Sequence, residues 1–139
     1  MSKRILTVIL AVIAIAVGCG KSDDAAAAIV TPNQAQTSPS GTYTAYIREG
    51  PEDNGVKAWV VLVRDQAGNE VFRDRSAYNP RDGVMISWLS TEPEQLWVYS
   101  GDVGVHKIAP GAKGGWTRAG VETENVPAEI SGRWESSRS

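Results

Sequence analysis

The chain holds one cysteine and one histidine among its 139 residues. A structural zinc site takes several Cys and His ligands, so that chemistry is excluded. A lone thiol also has no internal partner for a disulfide. Long apolar runs are missing too: the longest, residues 5–17, falls short of the roughly 20 residues that cross a bilayer core at helical rise. No stretch sustains a 3.6-residue apolar period, which argues against a helical fold. Nor do the basic residues cluster. Arg48, Arg64, Arg73, Arg75, Arg81 and Arg118 are interleaved with Asp65, Asp74 and Asp82. That is a solvated mixed-charge surface rather than the concentrated positive patch that neutralises phosphates, so no nucleic-acid partner is expected.

The N-terminus is the most specific segment present. Lys3 and Arg4 precede the apolar run 5–17, and small residues follow it, the three-part order of an export signal. The basic pair stays on the cytoplasmic side while the apolar run enters the hydrocarbon. The tetrapeptide Ala16-Val17-Gly18-Cys19 resembles the lipobox of bacterial lipoproteins, with Ala16 where leucine is usual. The resemblance implies a diacylglycerol thioether on Cys19, cleavage just before it, and attachment to the membrane through acyl chains. Two or more chains are what stable anchoring requires. Gly20 stands where an aspartate would favour inner-membrane retention. The expected location is therefore the cell envelope: the periplasmic face of the outer membrane where a cell has one, and otherwise the outer face of the plasma membrane.

Loss of Lys3 and Arg4 with the leader would turn 14 basic and 16 acidic residues into 12 and 16, a net charge of −4. The expected organisation is a signal peptide at 1–18, the lipidated cysteine and a disordered tether at 19–41, an antiparallel β-domain at 42–134, and a disordered tail at 135–139. The tether reading rests on the near absence of large apolar residues, which leaves too little surface to bury against the entropy of ordering.

Within 42–134 the patterns are those of strands. Residues 42–48 are rich in β-formers and run into the breaker group Gly50-Pro51-Glu52-Asp53-Asn54-Gly55. Residues 57–64 are nearly continuous in apolar character, predicting a central strand covered on both faces. Asp65-Gln66-Ala67-Gly68-Asn69 reads as a hairpin loop returning through 70–75. A second meander is expected from 84–89, 95–100 and 105–108. Beyond Pro110 the chain is glycine-rich, with a short helical turn expected at 127–130. The prediction is all-β: a small antiparallel sheet or a two-meander sandwich of about six strands.

The runs Ser38-Pro39-Ser40-Gly41-Thr42-Tyr43, Ile86-Ser87-Trp88-Leu89 and Leu96-Trp97-Val98-Tyr99 resemble strands of TolB-type and WD40-like propeller blades, with Ser40 in place of the usual aspartate. A propeller needs at least four blades of roughly 40 residues each, so this chain cannot close one. The resemblance implies blade-like antiparallel sheets and no activity.

Candidate chemistry is sparse. Ser100, Asp102 and His106 are the only residues that could suggest a nucleophilic triad, all on one hairpin and without an evident oxyanion hole. Glu92 and Glu94 flank Pro93 in one turn, where carboxylates are solvated rather than opposed across a cleft. Gly111-Ala112-Lys113-Gly114-Gly115 lacks phosphate-loop spacing. No metal, cofactor or catalytic residue is assigned. Alternation places Trp97 and Tyr99 on one face and Leu96 and Val98 on the other. Either the aromatic pair forms an interaction surface for an envelope protein or glycan, or both faces are covered, one by a second sheet and one by the C-terminal segment through Trp116 or Trp134. The expected function is a membrane-anchored, non-enzymatic binding module. A small hydrolase using Ser100, Asp102 and His106, or a structural envelope component, is the alternative.

Overall fold

The computed structural model describes residues 28–139. Cys19 and the expected signal peptide lie outside the described residues, as does the first part of the expected tether. The rest is an all-β sandwich with one short helix packed against it.

Two four-stranded antiparallel meanders make the sandwich. The first comprises β1 (Gln36–Thr37), β2 (Tyr43–Asp53), β3 (Val56–Asp65) and β4 (Glu70–Arg73) in chain order. The second comprises β5 (Val84–Trp88), β6 (Leu96–Ser100), β7 (Gly104–Pro110) and β8 (Trp116–Gly120). A helix, α1 (Ala128–Ser137), closes the chain. The meanders stack with β1 near β5 and β4 near β8.

Period-two alternation sorts the side chains into layers. Ala45, Ile47, Val61 and Val63 from the first sheet meet Ile86, Leu96, Val98 and Ile108 from the second, and all of these are buried. The opposite face of the second sheet carries Met85, Trp97 and Val105, which pack on Ile130 and Trp134 of α1. The i, i+4 spacing of those two helical residues puts them on one stripe. Pro127 opens the helix in extended conformation. Glu129 in the first turn accepts from the Ser90 backbone N–H at 2.8 Å and from its hydroxyl. One turn on, Arg133 donates to Ser87 Oγ at 2.7 Å and to the Trp88 carbonyl at 2.8 Å.

The turns follow their residues. Gly68, at φ 85°, closes the β3–β4 hairpin, where Asn69 N–H donates to the Asp65 carboxylate at 2.9 Å. Gly83 also has positive φ, and a Cβ there would lie 2.9 Å from the Trp134 ring, so a side chain at this position would displace the helix.

Several boundaries differ from the sequence reading. Strands number eight, because β1 and β8 are too short and too polar to show alternation. The breaker group does not end β2, which continues through Gly50 and Pro51 by way of a register shift between Glu49 and Glu52. Residues 29–37, expected as part of a tether, belong to the fold, since Val30 is fully buried and its N–H donates to the Ile86 carbonyl at 2.8 Å, and β1 lies at 36–37. That segment lies against β5, and Ile29 bridges to Ser87. Residues 135–137, expected as disordered tail, belong to α1 because Trp134 anchors the helix. The strand expected over 57–64 is central in its sheet, but among the described residues no helix covers its outer side.

Candidate functional site

At the β4–β8 edge of the sandwich the two sheets leave a cleft of about 240 Å³ lined by Phe72, Arg73, Asp74, Arg75, Trp116, Thr117 and Arg118. Its floor is a polar network that joins the sheets. Past β4, the Asp74 N–H donates to the Val61 carbonyl, and Tyr78 exchanges backbone hydrogen bonds with Trp59. This holds residues 74–78 along β3. The Asp74 carboxylate is fully buried. It accepts from the Tyr78 hydroxyl at 2.5 Å and from the Ser76 N–H at 2.9 Å.

From the other sheet, Arg118 projects across. Its Nε lies 3.2 Å from the Tyr78 oxygen and 3.5 Å from Asp74 Oδ1. A buried carboxylate is costly unless paired and hydrogen-bonded, and here all of its partners are in place. Burial pushes the Tyr78 hydroxyl well above the ordinary phenol range, and Asp74 adds to the effect. Tyr78 is thus a donor to Asp74 and not a titrating group at physiological pH.

Two polar atoms beside this network are buried without a hydrogen-bond partner among the described residues, Arg118 Nη2 and His106 Nδ1. His106 is cross-strand from Gly120. Burial, reinforced by Arg118, holds it below its ordinary value of 6.5. The aromatic wall is fixed as well: Trp116 meets Tyr43 edge-on at 4.8 Å between ring centroids and Trp88 at 6.3 Å. Arg73 is occupied by Glu70 through two hydrogen bonds at 2.8 and 3.1 Å, whereas Arg75, beside it, has no ion pair among the described residues.

The residues singled out from sequence fall elsewhere. Ser100, Asp102 and His106 do not assemble. Ser100 Oγ accepts from the backbone N–H groups of Asp102 and Val103 at 3.2 and 3.1 Å, forming a turn, and Asp102 is exposed. His106 faces Val98 across the ladder and not Ser100. Glu92 and Glu94 lie in the β5–β6 turn, and Gly111-Ala112-Lys113-Gly114-Gly115 forms the β7–β8 hairpin. Among the described residues no cluster of His, Cys, Asp and Glu could hold a metal ion.

Trp97 and Tyr99 are not an exposed surface. Trp97 is 4% exposed under α1, and Tyr99 stacks on Trp134 at 4.4 Å and 14°. Alternation alone could not tell which side the C-terminal segment would cover. The residues that do line a cleft were missed because Arg118 meets Asp74 and Tyr78 only through the stacking of two sheets. The one local hint was Trp116, standing alone in a glycine-rich stretch. Comparison with family models, characterised proteins and solved structures returns no match.

Proposed function

We propose that the chain is a lipid-anchored, non-enzymatic binding module of the cell envelope, and that it takes its ligand in the β4–β8 cleft. The observation that carries this reading is the lining: two aromatic rings, the Arg75 guanidinium without an ion pair among the described residues, and a carboxylate already saturated by its neighbours. Such a site offers an apolar seat and hydrogen-bond donors, but no free nucleophile or base. Its volume suits a single side chain or a small molecule with an apolar body and an acceptor group, as an envelope protein or glycan would present.

The N-terminal residues support the anchoring half of the proposal. Lys3, Arg4, the run 5–17 and Ala16-Val17-Gly18-Cys19 have the order of a lipoprotein leader, and Gly20 suits the periplasmic face of an outer membrane in a cell that has one. Among the described residues the fold begins at Ile29 on the β5 edge, across the sandwich from the cleft. A module held from that edge leaves its cleft open to the aqueous phase.

Calorimetric titration of the full chain in detergent micelles tests the cleft. The probes are N-acetyl amino acids with aromatic or aliphatic side chains and neutral monosaccharides. At least one class should bind saturably at about millimolar affinity or tighter. Phe72→Ala, which removes one of the two aromatic rings from the lining, should weaken that binding several-fold. Binding unchanged in Phe72→Ala would place the ligand elsewhere.

A further inference from the structure

The outer face of the first sheet is unlike the rest of the surface. Ala45 and Ile47 point into the core, so their neighbours Thr44, Tyr46 and Arg48 point out, and the ladder sets them opposite Arg64, Leu62 and Val60. Leu62 in turn faces Arg73 on β4. The second sheet has its outer face covered by α1, but no helix among the described residues lies over the first. Leu62 is nevertheless only 2% exposed, so the side chains around it form its cover. Long arginine stems do this while their charged heads stay in solvent.

The result is three guanidinium groups on one face, with Glu70 as the carboxylate among them. Glu70 is taken by Arg73. Arg48 is exposed and has no ion pair among the described residues, and the Arg64 guanidinium lies 5.2 Å over the Tyr46 ring. This positive face belongs to a mature chain whose 12 basic and 16 acidic residues make it net negative, so the remaining surface is more acidic still. A charge distribution this lopsided orients a molecule in front of a negative plane.

We propose that this face docks onto the anionic phospholipid headgroups of the bilayer that holds the chain, a proposal that rests on the membrane-anchored reading above. Charge complementarity is one argument. The guanidiniums suit phosphate oxygens, and Tyr46 offers the amphipathic ring favoured at a headgroup interface. Reach is the second. The stretch from Cys19 to Ile29, which bridges Ser87 on β5, spans at most about 35 Å even when fully extended, so the domain stays close to the bilayer. A second copy laid face to face is disfavoured as occupant, because it would bring the same positive charge.

Hydrogen exchange of residues 44–48 and 58–64 tests the proposal. The full chain is reconstituted into vesicles of phosphatidylcholine alone and of phosphatidylcholine with roughly 30% phosphatidylglycerol. Exchange in these strands should slow in the anionic vesicles alone, and added salt should reverse the slowing. In the anionic vesicles, Arg48→Gln and Arg64→Gln should each weaken the protection roughly fivefold, the factor expected for one basic residue at an anionic surface. Arg138→Gln, at the far end of α1, should leave the protection unchanged. Flotation with the neutral vesicles reads the anchor separately. A chain that floats with both vesicle types but exchanges identically in them keeps its anchor and overturns the docking face. A chain that fails to float with neutral vesicles yet is protected by anionic ones supports the face and overturns the anchor. Protection by soluble polyglutamate and not by anionic vesicles would also overturn the docking face, in favour of a polyanionic polymer.

Discussion

Asp74, Tyr78 and Arg118 show how much a single contact between sheets asks of its residues. Asp74 and Tyr78 come from one segment along β3 and Arg118 from β8 of the other sheet, and each would be expensive to bury alone. Together they saturate the carboxylate and leave one buried guanidinium nitrogen without a hydrogen-bond partner. His106 stands beside them as a neutral imidazole, and the sign of its effect on stability is determined by its lowered value. As pH falls below 6.5, the unfolded chain takes up a proton that the folded chain does not, so acid favours unfolding. Stability present above 6.5 is lost as pH falls towards the folded value. Urea midpoints measured between about pH 7.5 and about pH 5.5 should therefore decline in the native chain, and His106→Gln should flatten the decline. Equal declines in both chains would remove His106 from the account.

At the scale of elements, α1 decides the most. It carries only two buried apolar residues, Ile130 and Trp134, yet it covers Met85, Trp97 and Val105 and stacks on Tyr99. Ten residues of helix are marginal in isolation, so packing and the polar contacts of Glu129 and Arg133 hold it. Burial alone would raise the Glu129 carboxyl. Two hydrogen bonds from Ser90 and the charge of Arg133 outweigh that and keep it below its ordinary value. Trp134→Ala should cost about 3–5 kcal/mol in chemical denaturation and expose Trp97, seen as a red shift of tryptophan emission. Unchanged stability would mean that the helix merely rests on the sheet.

The elements also show what could be read from sequence. Strands β2, β3, β5, β6 and β7 were legible because alternation or continuous apolar character runs through them. In β8, Trp-Thr-Arg-Ala-Gly hides its pattern, since the inward positions hold an arginine and a half-buried tryptophan. Two residues in β1 are too few for any period. The helix was visible only as its first turn, because its stripe needs Trp134 to be read as core.

Among the described residues the molecule is a sandwich with two distinct edges and two unlike faces. The chain enters the fold at the β1–β5 edge, the cleft opens at the β4–β8 edge, α1 closes one face and the arginines of the first sheet occupy the other. None of this order follows from local pattern. It comes from stacking the meanders β1 to β5 and β4 to β8, which places residues far apart in sequence around one cleft. The leader-like motif needs no folding to be read, and on the proposed reading it would attach this arrangement to a membrane. Intact mass spectrometry of the chain purified from its own membranes is the most direct check. The account predicts a polypeptide beginning at Cys19 that carries diacylglycerol and further acyl mass, and a Cys19→Ser chain without that mass. A native chain that retains residues 1–18, or one with an unmodified Cys19 thiol, would contradict it.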